Sequence, residues 1–230
     1  MTNALAIDTT SEMLSLAVAR EGQPVAHHYA QSGTRMAGEM FGVLDGLFEE
    51  AGLTLAEVEV IVVARGPGSF TGTRLGLAMA RTFAQVQGCP LIGVDTLRLL
   101  AAQCQANPGE QVHAALNCIR DEVYHAAYVW EGEALREVRP VSVMAMADLA
   151  TQAQDCPVVL RRFLAPRAGE PEFPEGLQPP TLRHPQPDGR LLLQEGLALF
   201  AASQTGQGQE PLPAAEPIYL KSEAFRKWKP

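Results

Sequence analysis

The chain has 230 residues, 47% of them hydrophobic and 19% charged, which places it in the globular class and excludes a disordered or fibrous protein. Its formal charge is −8, from 18 basic and 26 acidic residues, and this argues against the chain alone gripping a polyanion such as RNA. Apolar runs such as Val60-Ile61-Val62-Val63-Ala64 fall far below the roughly 18 to 20 residues that span a bilayer, and the amino terminus lacks a signal-peptide pattern, so a cytoplasmic location is expected.

Leu5-Ala6-Ile7 reads as a short buried strand running into Asp8-Thr9-Thr10-Ser11, small polar side chains suited to a turn. Strands at Ser15 to Arg20 and Val25 to Tyr29 flank a Gly- and Pro-containing hairpin connection. A helix follows from Arg35 to Ala51 and stops at Gly52. At 100° per residue, Met36, Met40, Val43, Leu44, Leu47, Phe48 and Ala51 span an arc of about 140°, enough to cover a sheet. Thr54 to Glu57 is a capping-box pattern, and Val58 to Ala64 is the fourth strand. Beyond the loop from Arg65 to Gly72, a helix from Thr73 to Gln87, a strand from Leu91 to Val94 and a helix capped by Asp95 and reaching Ala106 complete the first half.

Pro108-Gly109 marks a boundary, so the expected domains are 1–106 and 107–230. Strands then recur at His113 to Asn117, Val123 to Trp130 and Ala134 to Val138, a weak repeat of the first half. A helix at Met146 to Ala153 and a strand at Val158 to Leu160 follow. Seven prolines between Pro166 and Pro187 predict a long surface loop over 166–187. The chain closes with a helix at Arg190 to Ala202, a strand at Ile218 to Leu220 and a basic tail, four basic residues against one acid in 220–229. The tail reads as a solvated terminus or as a surface that touches nucleic acid. The whole is an α/β protein with a mixed sheet in each half. Cys89, Cys104, Cys118 and Cys156 form no CxxC pair, so free thiols are expected and neither disulfides nor a zinc site.

Two stretches could carry chemistry. Gly66 to Gly72 lies between a strand and a helix, the placement of an anion cradle, with Gly66, Gly68, Ser69, Thr71 and Gly72 as its candidate residues. Its GxGxxxG spacing is neither the dinucleotide pattern nor a P-loop, and the alternative is a tight crossover that lets helix and strand pack closely. Asp8, Thr9 and Thr10 are the second candidate: an aspartate to hold hydrated Mg²⁺ and hydroxyls to reach phosphate, or simply a turn cap.

Taken together, Leu-Ala-Ile-Asp8-Thr-Thr, Glu-Ala-Gly52-Leu and Ala-Arg65-Gly-Pro-Gly-Ser-Phe-Thr-Gly-Thr-Arg74-Leu-Gly resemble the TsaB (YeaZ) family, strongly over 1–105 and thinly at Glu122-Val123-Tyr124 and Pro217 to Leu220. The resemblance implies an actin-like ATPase (ribonuclease H-like) fold of two similar mixed-sheet halves. It also implies a part in making threonylcarbamoyladenosine beside the anticodon of tRNAs that read codons starting with A. In that system a TsaD-like transferase subunit carries the chemistry. The TsaB-like chain is its noncatalytic dimerisation and activating partner, a TsaE-like ATPase joins them, and tRNA binds through the complex. No cofactor is then required, although weak ATP or ADP with Mg²⁺ at the complex is compatible with the fold.

The residues agree with a noncatalytic part. His27 and His28 are adjacent on a strand and so face opposite ways, His113, His125 and His184 look isolated, and no HExxH is present, which leaves a glycoprotease-like metallopeptidase without ligands. Asn117 stands where the family usually has an aspartate, removing the carboxylate of the second phosphate-facing turn. That speaks against a nucleotide-dependent phosphotransferase or ATPase unless Asp121 compensates.

Gly38, Gly42 and Gly46 recur every fourth residue opposite the apolar arc of the first helix. Each costs roughly 0.8 to 1 kcal/mol relative to alanine in a helix interior, a cost that a close helix-to-helix contact would offset. Gly76, Ala80 and Ala84 form a second row of small residues on the next helix. The resemblance implies pairing through these two helices, with the TsaD-like partner or as a homodimer in isolation.

Overall fold

A computed structural model describes residues 2–104, 106–118, 122–132, 134–153, 156–161, 181–183, 188–205 and 214–220. Its strands are β1 (Ala4–Asp8), β2 (Met13–Arg20), β3 (Gln23–Gln31), β4 (Val60–Ala64), β5 (Leu91–Val94), β6 (Gln111–Asn117), β7 (Glu122–Glu131), β8 (Ala134–Ala145), β9 (Val158–Arg161) and β10 (Thr181–Arg183). Its α-helices are α1 (Met36–Ala51), α2 (Phe70–Gln87), α3 (Thr96–Ala102), α4 (Leu149–Ala153) and α5 (Gly189–Gln204).

The first sheet has the order β3-β2-β1-β4-β5, in which β3–β2 and β2–β1 pair antiparallel and β1–β4 and β4–β5 pair parallel. The second repeats it as β10-β9-β6-β7-β8, so that β6 corresponds to β1 and β9 to β4. This duplicated mixed sheet is the actin-like, ribonuclease H-like architecture.

Strand alternation decides which face of the first sheet each helix covers. Leu5 and Ile7, Leu14, Leu16 and Val18, and Ile61 and Val63 turn toward α1 and α2, meeting Met40, Leu44, Leu47 and Leu77 in one core. Each such side chain contributes about 1.5 to 3 kcal/mol when fully buried. The arc predicted for α1 is the buried one, and the helix ends as Gly52 takes the left-handed conformation at φ 61°. The other face is built from small residues, Ala4 and Ala6 paired with Ala19 and Ala17, which let α5 lie close. A methyl on Gly196 of α5 would fall 2.3 Å from a Val62 methyl, and one on Gly189 would fall 2.9 Å from the Leu16 carbonyl carbon.

That placement of α5 corrects the expected domains. The two compact units are 1–96 with 187–218, and 97–186 with 219–230, in place of 1–106 and 107–230. In the second unit, Leu97, Leu100 and Ala101 of α3, with Cys104 just after it, pack on one face of the sheet against Val112, Leu116 and Tyr128. Leu149 and Ala153 of α4 cover Ala115, Val123, Val158 and Leu160 on the other.

Several boundaries also move. α2 starts at Phe70 rather than Thr73, because the Ser69 hydroxyl caps it by accepting from the Gly72 amide. α3 ends at Ala102, not Ala106, and the Asp95 carboxylate pairs with Arg65. β8 continues past Val138 to Ala145, since Val141 and Val143 favour strand and Pro140 is tolerated on an edge. Within the proline-rich stretch, Thr181-Leu182-Arg183 carry no proline and pair with β9; the rest of 166–187 up to Pro187 lies outside the described residues. Ile218 to Leu220 form no strand. No helix among the described residues is long and apolar enough to cross a membrane, and none of the four cysteines is in a disulfide.

Candidate functional site

β1 ends at Asp8, and the turn that follows is buried: Asp8, Thr9, Thr10 and Ser11 are each at most 3% exposed. Asp8 Oδ1 accepts from the Thr10 amide at 2.8 Å and from the Thr10 hydroxyl at 2.7 Å. The Thr9 hydroxyl donates to the Gly72 carbonyl at 2.7 Å, and the Ser69 amide donates to the Thr10 carbonyl at 2.7 Å. The two candidate stretches therefore meet, as the start of α2 lies directly on the turn.

Glycine permits that approach. A methyl on Gly68 would sit 2.4 Å from the Thr10 carbonyl oxygen, and one on Gly72 only 2.0 Å from the Thr9 carbonyl oxygen. A methyl on Gly76 would sit 2.3 Å from Thr9 Oγ1. Gly66 takes φ 95°, and its carbonyl accepts from the Thr96 amide at 2.8 Å, tying the loop to the start of α3. Thr71 is exposed on the first turn of α2. The space on the Cβ side of Gly68 and Gly72 is thus filled by carbonyl oxygens of the chain itself. This arrangement fits a tight crossover, in which the turn after β1 and the start of α2 pack backbone to backbone.

In the second unit, Asn117 ends β6 as Asp8 ends β1, and it is buried. Asp121, His184 and the basic residues of 221–229 lie outside the described residues.

The two rows of small residues separate. Gly38, Gly42 and Gly46 are exposed, with nothing within 4 Å of an added methyl. Phe41 beside them is 56% exposed and touches the edge of Phe83 on α2, the ring centroids 6.5 Å apart. Phe70, 57% exposed, lies under the Arg74 guanidinium at 3.8 Å. Gly76, Ala80 and Ala84, in contrast, are buried on the side of α2 that faces the sheet, so their expected part in a partner surface is corrected. Leu77 and Phe83 lie on the same arc and are the signal that assigns this row to the core.

Three further features are not announced by any motif. Arg65 pairs with Asp95 and donates to the Ala214 carbonyl at 3.2 Å, while Arg81 donates to the Ala215 carbonyl at 2.7 Å. These bonds strap 214–218 across Gly93, where a methyl would meet the Ala214 oxygen at 2.8 Å. The Ile218 amide closes the strap on the Arg65 carbonyl at 3.0 Å. His113 and His125, far from isolated, are hydrogen-bonded to each other at 2.9 Å.

The model of the family described as tRNA N6-adenosine threonylcarbamoyltransferase (TsaD) matches residues 8–176. The tRNA threonylcarbamoyladenosine biosynthesis protein TsaB of Escherichia coli is 32% identical over 136 residues, 56% of this chain and 58% of that protein. Its Bacillus subtilis namesake is 29% identical over 144 residues, 63% of this chain and 62% of that protein. The chain thus spans about three fifths of the length of these curated relatives. Among solved structures, YeaZ from Pseudomonas aeruginosa matches with a TM-score of 0.74 at 28% identity, covering 96% of this chain and all of that one. The chain belongs to the tRNA N6-adenosine threonylcarbamoyltransferase family and, within it, to the TsaB (YeaZ) proteins.

Proposed function

We propose that the chain is a noncatalytic dimerisation and activating subunit in tRNA threonylcarbamoyladenosine synthesis, docking through α1 on a TsaD-like transferase subunit. The observation that carries this reading is the exposed face of α1, where Gly38, Gly42 and Gly46 lie open beside Phe41. A helix keeps glycines on an exposed face at a cost in propensity, and the backbone they bare suits a second helix packed closely against it. The names of the relatives, a threonylcarbamoyladenosine biosynthesis protein and a threonylcarbamoyltransferase, support the pathway and the kind of partner. A TsaE-like ATPase and tRNA join through the complex, and in isolation the same face pairs two copies.

The noncatalytic part is supported by Asp8, whose carboxylate is engaged by Thr10, by the carbonyl-filled glycine loop, and by Asn117 in place of a carboxylate. The chain needs no cofactor of its own in this reading, and nucleotide joins at the complex. The test is reconstitution of tRNA modification from purified TsaD-like and TsaE-like proteins with and without this chain. Modification should require the chain and a stable pair with the transferase. Full activity without it, or turnover of ATP by the chain alone near the ~1 s⁻¹ of slow ordinary enzymes, overturns the reading.

A further inference from the structure

His113 on β6 and His125 on β7 are 2% and 0% exposed, on the face of the second sheet that also carries Ala115 and Val123. In the register of the two strands His113 lies opposite Ala127 and His125 opposite Ala115, so the rings meet on the diagonal with centroids 5.1 Å apart. The Gln111 amide nitrogen lies 2.8 Å from His113 Nε2, and His113 Nδ1 lies 2.9 Å from His125 Nε2.

The Gln111 amide nitrogen is a donor, and that sets the tautomers along the chain of contacts. With the Gln111 amide donating, His113 Nε2 accepts, so the proton of that ring is on Nδ1 and is donated to His125 Nε2. The remaining proton of His125 is then on Nδ1, a buried atom with no hydrogen-bond partner among the described residues. The chain of bonds runs one way, and both imidazoles are neutral.

The surroundings oppose charging them. β6 supplies Gln111, β8 supplies Arg139 and the Ser142 hydroxyl on the His125 carbonyl, and β9 supplies Val158 opposite His113. α4 contributes Leu149 and Ala153 to the cluster beside the pair. Burial is the main force holding both histidines below their usual range, to about 4, with the Arg139 charge adding to it and each further proton repelled by the first. A proton on His113 Nε2 also meets the Gln111 amide donor unless that amide turns over.

We propose that the Gln111–His113–His125 chain is an acid-opened latch of the second unit, closed while both rings are neutral and forced open when the pair takes up protons. An opened unit exposes imidazoles of ordinary basicity, near 6.5, so it binds more protons than the closed one between about pH 6.5 and 4. Stability from the latch is complete above that window and is lost as pH falls through it. Each extra proton bound by the open form shifts the opening equilibrium about tenfold per pH unit, up to about a hundredfold for the pair.

The experiment follows the full chain from pH 7.5 to 3.5 by histidine ring NMR and by hydrogen exchange of β6, β7 and α4 against β1 and β4. Both rings should stay neutral at pH 6, and the second unit should lose protection before the first. A His113→Gln/His125→Gln variant should lose that order of opening; should it not fold, the wild-type titration still decides. Protonation of either ring at pH 6, or simultaneous opening of both units in the wild-type chain, overturns the proposal.

Discussion

The side chain of Thr9 occupies the place that a side chain on Gly76 would need, with the hydroxyl 2.3 Å from where a methyl would sit. The same hydroxyl is held by its bond to the Gly72 carbonyl, so it has little freedom to move aside. Gly76→Ala should therefore cost about 1 to 3 kcal/mol by overpacking, although alanine is the better helix former. In a Thr9→Ala background the obstructing oxygen is gone, and the same substitution should become neutral or stabilising. A double-mutant cycle by thermal or urea melting measures this coupling. Equal losses in both backgrounds would remove the proposed contact between the two residues.

α5 provides a second close approach. Gly196→Ala places a methyl 2.3 Å from Val62, which belongs to a strand packed on both faces and yields little. The expected cost is again about 1 to 3 kcal/mol. It should appear in the first unit, as faster hydrogen exchange in β1 and β4, with β6 and β7 unaffected. Loss of protection confined to β6 and β7 would contradict the assignment of α5 to the first sheet.

The strap at 214–218 depends on Arg65, and Arg65 is oriented by Asp95, whose side chain is only 12% exposed. Asp95→Asn removes the charge that fixes the guanidinium, at a cost of about 1 to 3 kcal/mol for a partly buried, charge-assisted bond. The Ala214 contact should loosen with it. The Ile218 amide, bonded to the Arg65 carbonyl, is the reporter, and its exchange should accelerate several-fold. Unchanged exchange at Ile218 would mean that Arg81 and Ala215 hold the strap without help.

The sequence made the local elements legible and the long-range ones much less so. The period of α1, the capping box, in which Glu57 accepts from the Thr54 amide and hydroxyl, and most strands follow from side chains close in sequence. α5 is separated by more than 120 residues from β4, and its helical pattern does not say which sheet it will cover. The His113 pair depends on the register between β6 and β7, which no residue type dictates; the alternation of a strand places each histidine on a face but not beside the other. The small-residue row of α2 was legible in principle, because Leu77 and Phe83 share its arc, but a stripe of small residues looks the same whether it receives a partner helix or its own sheet.

The glycines of α1 give the clearest separation of interface from core. Gly42 is exposed and a methyl on it meets nothing within 4 Å, so Gly42→Leu should leave the fold intact. Replacing glycine in a helix interior improves propensity by a few tenths to about 1 kcal/mol, so the melting temperature should hold or rise slightly. A leucine there would nevertheless hold a partner helix away from the backbone between Gly38 and Gly46 and remove the central packing on which an interface depends. The expected outcome is a stable chain that no longer co-purifies with its TsaD-like partner and that is monomeric in isolation. Gly22→Ala, in the β2–β3 turn, is not a suitable control because that glycine takes φ 82°. Glu50→Gln, exposed near the end of α1, is a better one and should bind normally. Normal partner binding by Gly42→Leu would sink the docking surface proposed on α1, whatever its effect on stability.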